Sequence, residues 1–404
     1  MGSFRTFNIA EELVQNGARV TVVTTNNYSF LPKQILPIHP NIELKRIPSF
    51  DYNFVKGLIF KNKKRGGSNT ATSKNSFSLA FRIMDTFPIN ILFGLGGFLY
   101  IFLALCYILP RIKRFTHIFS SFRPYGDHFI AYIIKNIRPS LYWIADFRDI
   151  HVDHENINVL SIPYQEYINK KIFRKSDVLV TVSKGYLNSL KKYNPNFQII
   201  PNGIGRSLID SFKSIESSLP SKFTISHVGS LYGGRRDPSF LFEVISKLVA
   251  TGRLKLDQIR LQYAGSDGSL WFSLLKKYNL EASGIDLGSV DHKTAIKVQK
   301  FSHINLMLTW ATEKGGTFPA KFFEYLVAQR PILLLVNGDK DPEFEEIFDE
   351  HQIGFLCYNT TQWKNELAEF ILERITNPSF EFDEKILIKY NWNQLVKKFE
   401  LLKN

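Results

Sequence analysis

The chain has 404 residues, 44% of them hydrophobic, and a formal net charge of +14. That length exceeds one ordinary core and predicts two domains, and the apolar fraction excludes a disordered chain. Two cysteines, Cys106 and Cys357, exclude a disulfide framework and suit a reducing cytosol.

The opening MGSFRTFNIAEEL has no apolar h-region, so no secretory signal is read there, although MGSFRT matches the N-myristoylation pattern. SFRTFNIAEELVQNG spaces Phe4, Phe7, Ala10, Leu13 and Val14 as a helix, with Gly17 at its C-terminal cap, and ARVTVVTT then reads as a strand. The chain therefore opens on a glycine-led helix without a strand before it.

Residues 52–126 carry eleven Lys and Arg against the single acid Asp85, which is +10 of the total. Inside this basic frame, FPINILFGLGGFLYIFLALCYIL (87–109) runs for 23 residues without a charge. Three readings compete: a helix dipping into a membrane, a buried domain helix, and a transmembrane span. Pro88 and three glycines break the first half, so the best helix runs over 98–109. Strand-like segments on both sides must share one sheet, which disfavours a span. Basic residues beside an apolar segment fit an anionic membrane surface, whereas a nucleic-acid groove would interleave aromatics with the charge, so no nucleic-acid partner is expected. KNKKRGGSNTATSKNS (61–76) reads as a mobile loop.

HIFSSF, SLYWIADF, DVLVTVS and FQIIPNG are further strands with helices between them, ending a first domain at 1–205. A serine-rich connector, 204–222, leads to a second alternating series through FTISHVGS, IRLQYAGS, IDLGSV, HINLMLTW, ILLLV and GFLCY, giving a second domain at 206–388 and a closing helix within 389–404. The alternation predicts an α/β fold of two doubly wound domains.

One unit of the second domain carries chemistry. GGTFPAKFFEYLVAQRPILLLV (315–336) follows a buried strand and reads as glycine loop, helix and strand. At 100° per residue, Phe322, Phe323, Leu326 and Val327 cover an arc of about 140°, leaving Lys321, Glu324 and Ala328 on another face. The loop after a strand and the next helix N-terminus form the ligand crevice in such sheets, and free N–H groups there attract phosphate. Lys321 and Glu324 could hold a diphosphate and a diol, or could form an ordinary i,i+3 ion pair.

Together IPNG, VTVSKGYL, HVGSLYGGRRDP, YAG, LGSV and PAKFFEYLVAQRPIL resemble the GT-B glycosyltransferases, above all the retaining enzymes of family 4. YWIADFRDI (142–150) is similar to a segment of a subgroup that builds bacterial surface polysaccharides. The resemblance implies two Rossmann-like domains facing a cleft, a nucleotide-sugar donor, a glycan or lipid-linked acceptor, and no metal or other cofactor. It implies that Glu324 accepts ribose hydroxyls, that Arg235 or Arg236 clamps the diphosphate with Lys321, that Gly315, Gly316 and Thr317 admit phosphate and sugar, and that the backbone at Ser289 and Val290 meets the base. Gly316 stands where the family often has a second Glu, and the family's first strand and longer glycine loop are missing before Gly2. On the acceptor side His128 and Asp146 would orient or polarise the acceptor, with Gly2, Arg5, Arg148 and Asp149 nearby. HVDHE (151–155) lacks the helical zinc arrangement. The expected place of action is the cytoplasm, on the inner face of the cell membrane. A nucleotide-sugar 2-epimerase of the same fold and a non-catalytic nucleotide-binding subunit are the alternatives.

Overall fold

The computed structural model describes residues 2–26, 38–50, 79–94, 96–154, 157–216, 218–312, 315–316 and 318–400. Two compact units divide it: the first runs to Val182 and takes up 186–201 and the chain from Val396, and the second holds 183–185 and 202–395.

In the first unit, helix α1 (Gly2–Gln15) ends at Gly17, whose φ of 88° is costly for any residue with a Cβ. Strand β1 (Val20–Thr25) pairs in parallel with β2 (Ile42–Ile47), and Ala10 and Val14 of α1 pack on Ile42. Three helices follow: α2 (Leu79–Asp85), α3 (Ile89–Leu92) and α4 (Gly97–Ile108). Next come β3 (His117–Phe122), α5 (Tyr125–Ile137), β4 (Tyr142–Phe147), α6 (Ile162–Phe173), β5 (Val178–Thr181), α7 (Lys184–Leu190) and β6 (Phe197–Ile199). Strands β3-β4-β5-β6 form one parallel sheet in chain order.

The expectation that strands on both sides of the apolar run share one sheet is corrected here. Among the described residues β1–β2 and β3–β6 are separate sheets, joined through a common core in which Ile47 meets Tyr100, Ile101, Phe122 and Trp143. The helical path of the apolar run is broken at Phe93, Gly94 and Gly96, and α4 buries Tyr100, Ile101 and Ala104 while exposing Phe98, Leu99 and Phe102. No helix among the described residues is long and apolar enough to cross a membrane.

The second unit opens with α8 (Arg206–Lys213), inside what the sequence reading took for a connector. Its Phe212 is buried with Ile215, Ile296 and Ala328, and Lys300 holds the Phe212 carbonyl at 2.7 Å. Then follow β7 (Phe223–Val228), α9 (Ser239–Ala250), β8 (Ile259–Ala264), α10 (Gly268–Lys277), β9 (Gly284–Asp286), α11 (His292–Lys300) and β10 (Ile304–Thr312). The short β11 (Gly315–Gly316), α12 (Lys321–Ala328), β12 (Ile332–Gly338), α13 (Pro342–Glu350), β13 (Gly354–Tyr358), α14 (Lys364–Thr376), α15 (Lys385–Lys389) and α16 (Trp392–Glu400) complete the chain. The sheet order is β13-β12-β10-β7-β8-β9, all parallel, with β11 antiparallel to β10. Its central strands are continuous apolar runs because helices cover both faces: Leu333 and Leu335 join one core cluster, Ile332, Leu334 and Val336 the other.

Candidate functional site

The candidate residues of the second unit sit where its parallel strands end. After β7 the chain turns through Gly229 (φ 144°), and its carbonyl accepts a hydrogen bond from Tyr263 Oη at 2.9 Å. The Asp267 carboxylate accepts from Ser230 Oγ at 2.7 Å and from the Leu231 N–H at 2.8 Å. The loops after β7 and β8 are thus tied together. Gly265 permits the approach: a Cβ there would lie 2.2 Å from the Gly229 carbonyl oxygen. This loop delivers Arg236, which lies over the rings of Tyr232 (4.5 Å) and Trp310 (5.5 Å). Its Nε is buried with no hydrogen-bond partner among the described residues. Arg235 lies 5.9 Å over Trp310.

Helix α12 is enclosed on nearly all sides. Phe322, Phe323 and Leu326 enter a cluster with Phe318 and Phe344, while Ala328 packs against Phe212 and Ile296 on another side. Lys321 and Glu324 form the i,i+3 pair, but it is no solvated one. Lys321 Nζ lies 2.7 Å from Glu324 Oε2, with 19% and 11% of the two side chains exposed. Gln299 donates to the same oxygen at 2.8 Å, and His292 Nε2 lies 3.8 Å from Oε1. Burial alone would raise the carboxyl's pKa; His292, Lys321 and Gln299 outweigh it and bring Glu324 down to about 2. Glu324 is therefore a fixed anion whose second oxygen keeps acceptor capacity.

Gly315 and Gly316 pair with Thr312 and Ala311 as β11, and Thr317 lies outside the described residues. Ser289 is exposed and Val290 half-buried, just before the Asp291 cap of α11. His227, which the sequence reading did not single out, is buried, with the cations of Arg236 and Lys321 near enough to act on it.

In the first unit two expectations are corrected. His128 was expected to face a cleft, but it is fully buried, tucked against Phe147 (4.7 Å) and Phe173 (5.0 Å), with Nδ1 2.7 Å from Ser120 Oγ. Burial, then the neighbouring His151, push its pKa down to about 3, so it is a neutral core residue. Asp146 is equally buried. Arg5 forks onto it at 2.8 and 3.1 Å, Ser121 Oγ donates to it at 2.8 Å, and Arg5 also donates to the carbonyls of Ile200 and Pro201. Asp146 and Arg5 thus form a buried strut and not an open acceptor site. Gly2 begins α1, Arg148 donates to the Arg123 carbonyl at 3.0 Å, and Asp149 is exposed.

The residue beside His128 has a different environment. Asp127, half-buried in the first turn of α5, accepts from Tyr100 Oη at 2.8 Å. Burial raises its carboxyl to about 7, against the lowering by Tyr100 and Arg148. The two histidines of HVDHE have separate partners: His151 enters the core beside Asn169, and His154 pairs with Glu166 at 2.6 Å; Glu155 lies outside the described residues. Among the described residues no three His, Cys, Asp or Glu side chains gather around a metal position.

No family model matches the chain. A glycosyltransferase of Methanocaldococcus jannaschii, itself uncharacterized, is 24% identical over 345 residues, which cover 80% of this chain and 81% of that protein. Sucrose-phosphate synthase from Thermosynechococcus elongatus superposes with a TM-score of 0.60 at 14% identity, covering 98% of this chain and 90% of that one. The E. coli trehalose-6-phosphate protein bound with UDP-2-fluoro glucose gives 0.58 at 13%, covering 98% and 95%. At these identities the structural likeness establishes the fold.

Proposed function

We propose that this chain, which resembles the GT-B glycosyltransferases in sequence and has their fold, transfers a hexosyl or N-acetylhexosaminyl group from a nucleotide sugar to a glycan or lipid-linked acceptor. The observation that carries this reading is the buried, ionised Glu324 beside Lys321, at the same end of the sheet as Arg236. A vicinal diol donates two hydrogen bonds, and a carboxylate held below its ordinary pKa is their natural acceptor. Arg236 and Lys321 supply cations for a diphosphate, where they offset the charge that gathers on the leaving nucleotide.

The reaction proposed is transfer with retention. The acceptor oxygen attacks on the face that the nucleotide leaves, and the leaving phosphate takes the acceptor proton. Thr317, Gly315 and Gly316 would flank the transferred sugar, and Ser289 and Val290 the base. On the acceptor side, Asp127 takes the place first given to His128, because it is half-buried at the start of α5 where His128 is wholly enclosed. The lipid-linked acceptor is supported by the exposed Leu92, Phe93, Phe98 and Phe102 within the basic frame, a combination suited to peripheral attachment on an anionic inner membrane face.

A panel of nucleotide sugars, scored by nucleoside diphosphate released in the presence of extracted glycolipid, tests the proposal. Acceptor-dependent release from one donor is expected. Conversion of the donor to an epimer without release would overturn transfer in favour of isomerisation, and binding without either would leave a nucleotide-binding subunit.

A further inference from the structure

His227 lies near the end of β7, 3% exposed, with Nδ1 3.0 Å from the Leu306 carbonyl oxygen. A carbonyl only accepts, so Nδ1 carries the proton. The ring lies parallel to Tyr263 and Trp271, with centroids 6.0 and 6.4 Å away, which fixes its plane. Burial, helped by the cations of Arg236 and Lys321 and opposed by Leu306 and Asp267, holds its pKa down at about 4, so the ring is neutral. Nε2 therefore presents a lone pair, and it has no hydrogen-bond partner among the described residues. A buried acceptor left unmade is costly, so an occupant is worth seeking.

The space it faces is defined by Gly229. A Cβ built there would meet two groups within 4 Å, His227 Nε2 at 3.8 Å and Arg236 Nη1 at 3.9 Å. An atom over Gly229 is thus offered a lone pair from one side and a guanidinium donor from the other. A phosphate oxygen only accepts: it would satisfy Arg236 and confront the imidazole lone pair. A hydroxyl does both, accepting from Arg236 and donating to His227.

We propose that His227 Nε2 and Arg236 Nη1 together bind one hydroxyl of the sugar carried by the nucleotide donor, making His227 a donor-sugar specificity residue. This deepens the donor reading above and rests on it. Arg236 keeps its second terminal nitrogen for the diphosphate, so one guanidinium bridges phosphate and sugar.

The test compares nucleotide sugars with their own nucleoside diphosphates by calorimetry: UDP-glucose and UDP-N-acetylglucosamine against UDP, and GDP-mannose against GDP, using whichever pair the wild-type protein binds. His227→Phe keeps the ring stack and removes Nε2. It should weaken nucleotide-sugar binding about tenfold while changing diphosphate binding less than twofold, and His227→Gln should restore part of the loss. Should the Phe variant fail to fold, 15N-labelled histidine in the wild-type protein gives the same answer. The His227 Nε2 resonance should move on adding the nucleotide sugar and stay on adding the diphosphate. Equal losses for both ligands, no loss for either, or an Nε2 resonance indifferent to the sugar would overturn the proposal while leaving the donor site standing. A wild-type protein that binds none of these nucleotides would overturn the donor reading itself, and this inference with it.

Discussion

Lys321 Nζ stands 2.7 Å from Glu324 Oε2, one helical turn away on α12, and Gln299 shares that oxygen at 2.8 Å. The lysine is therefore held by the carboxylate before any ligand arrives, and its remaining donors are oriented. Pre-set orientation lowers the entropic cost of gripping a phosphate. Replacing Lys321 by Met should weaken nucleoside diphosphate binding by about 1.5–3 kcal/mol, the range for hydrogen bonds to charged groups. The parent nucleoside, which has the diol but no phosphate, should bind the variant no more weakly than the wild type. Calorimetry with both ligands decides it, and an equal loss for the nucleoside would place the lysine elsewhere.

The strut between Arg5 and Asp146 gives a prediction about stability. Both side chains are almost wholly buried, at 2% and 0% exposure. Asp146→Ala leaves the guanidinium buried beside two carbonyls with no counter-charge, which costs about 3–5 kcal/mol. The denaturant midpoint should fall with the slope unchanged. A variant as stable as the wild type would show that the pair does not hold α1 to β4.

Asp127 makes stability depend on pH. Its folded pKa, about 7, lies above the unfolded value of a carboxyl, so the folded state holds the proton more tightly. The wild-type protein should lose stability from this group as pH rises from about 4 through 7. Asp127→Asn keeps an acceptor for Tyr100 and removes the charge. Its melting temperature should exceed that of the wild type at pH 8 by more than at pH 5. An identical difference at both pH values would show that Asp127 titrates normally.

Lipid attachment separates into two parts. Attraction through Lys and Arg is screened by salt, with a Debye length of about 8 Å at physiological ionic strength, whereas apolar insertion is not. The protein should sediment with anionic vesicles better than with neutral ones, and high salt should weaken that binding without abolishing it. Changing Lys61, Lys63, Lys64 and Arg65 to Gln should remove most of the anionic preference; these four lie outside the described residues. Changing Phe98 and Phe102, both more than half exposed, to Ser should remove the salt-resistant part without unfolding α4. Wild-type protein that stays in the supernatant at low salt would remove the main reason for a lipid-linked acceptor.

The alternation of strands and helices was legible because parallel strands covered on both faces read as unbroken apolar runs, such as ILLLV in β12. The strand β2, IELKRI, was not, because Glu43, Lys45 and Arg46 are exposed and only Ile42 and Ile47 are buried. Lys321 and Glu324 were legible as a pair, but spacing along α12 says nothing of Gln299, whose position comes from the crossover of another helix. His128 and Asp127 show how narrow the margin is. Neighbours on a helix point about 100° apart, so a one-residue step exchanges the core for the accessible side. His227 had a faint signal, a lone polar ring near the end of a wholly buried strand and two residues before a glycine. What makes it distinctive is an unfilled lone pair, which only the packed structure reveals.

The most direct measurement is the affinity of the Glu324→Ala protein for the nucleotide sugar that the wild-type protein uses. Glu324 is buried, ionised and aimed at the same end of the sheet as Arg236, and the account assigns it the ribose diol. Calorimetry should show binding weakened by about 1.5–3 kcal/mol, in a variant whose circular dichroism and melting remain those of a folded protein. Unchanged affinity in that folded variant would contradict the assignment, and with it the placement of the donor in the second unit.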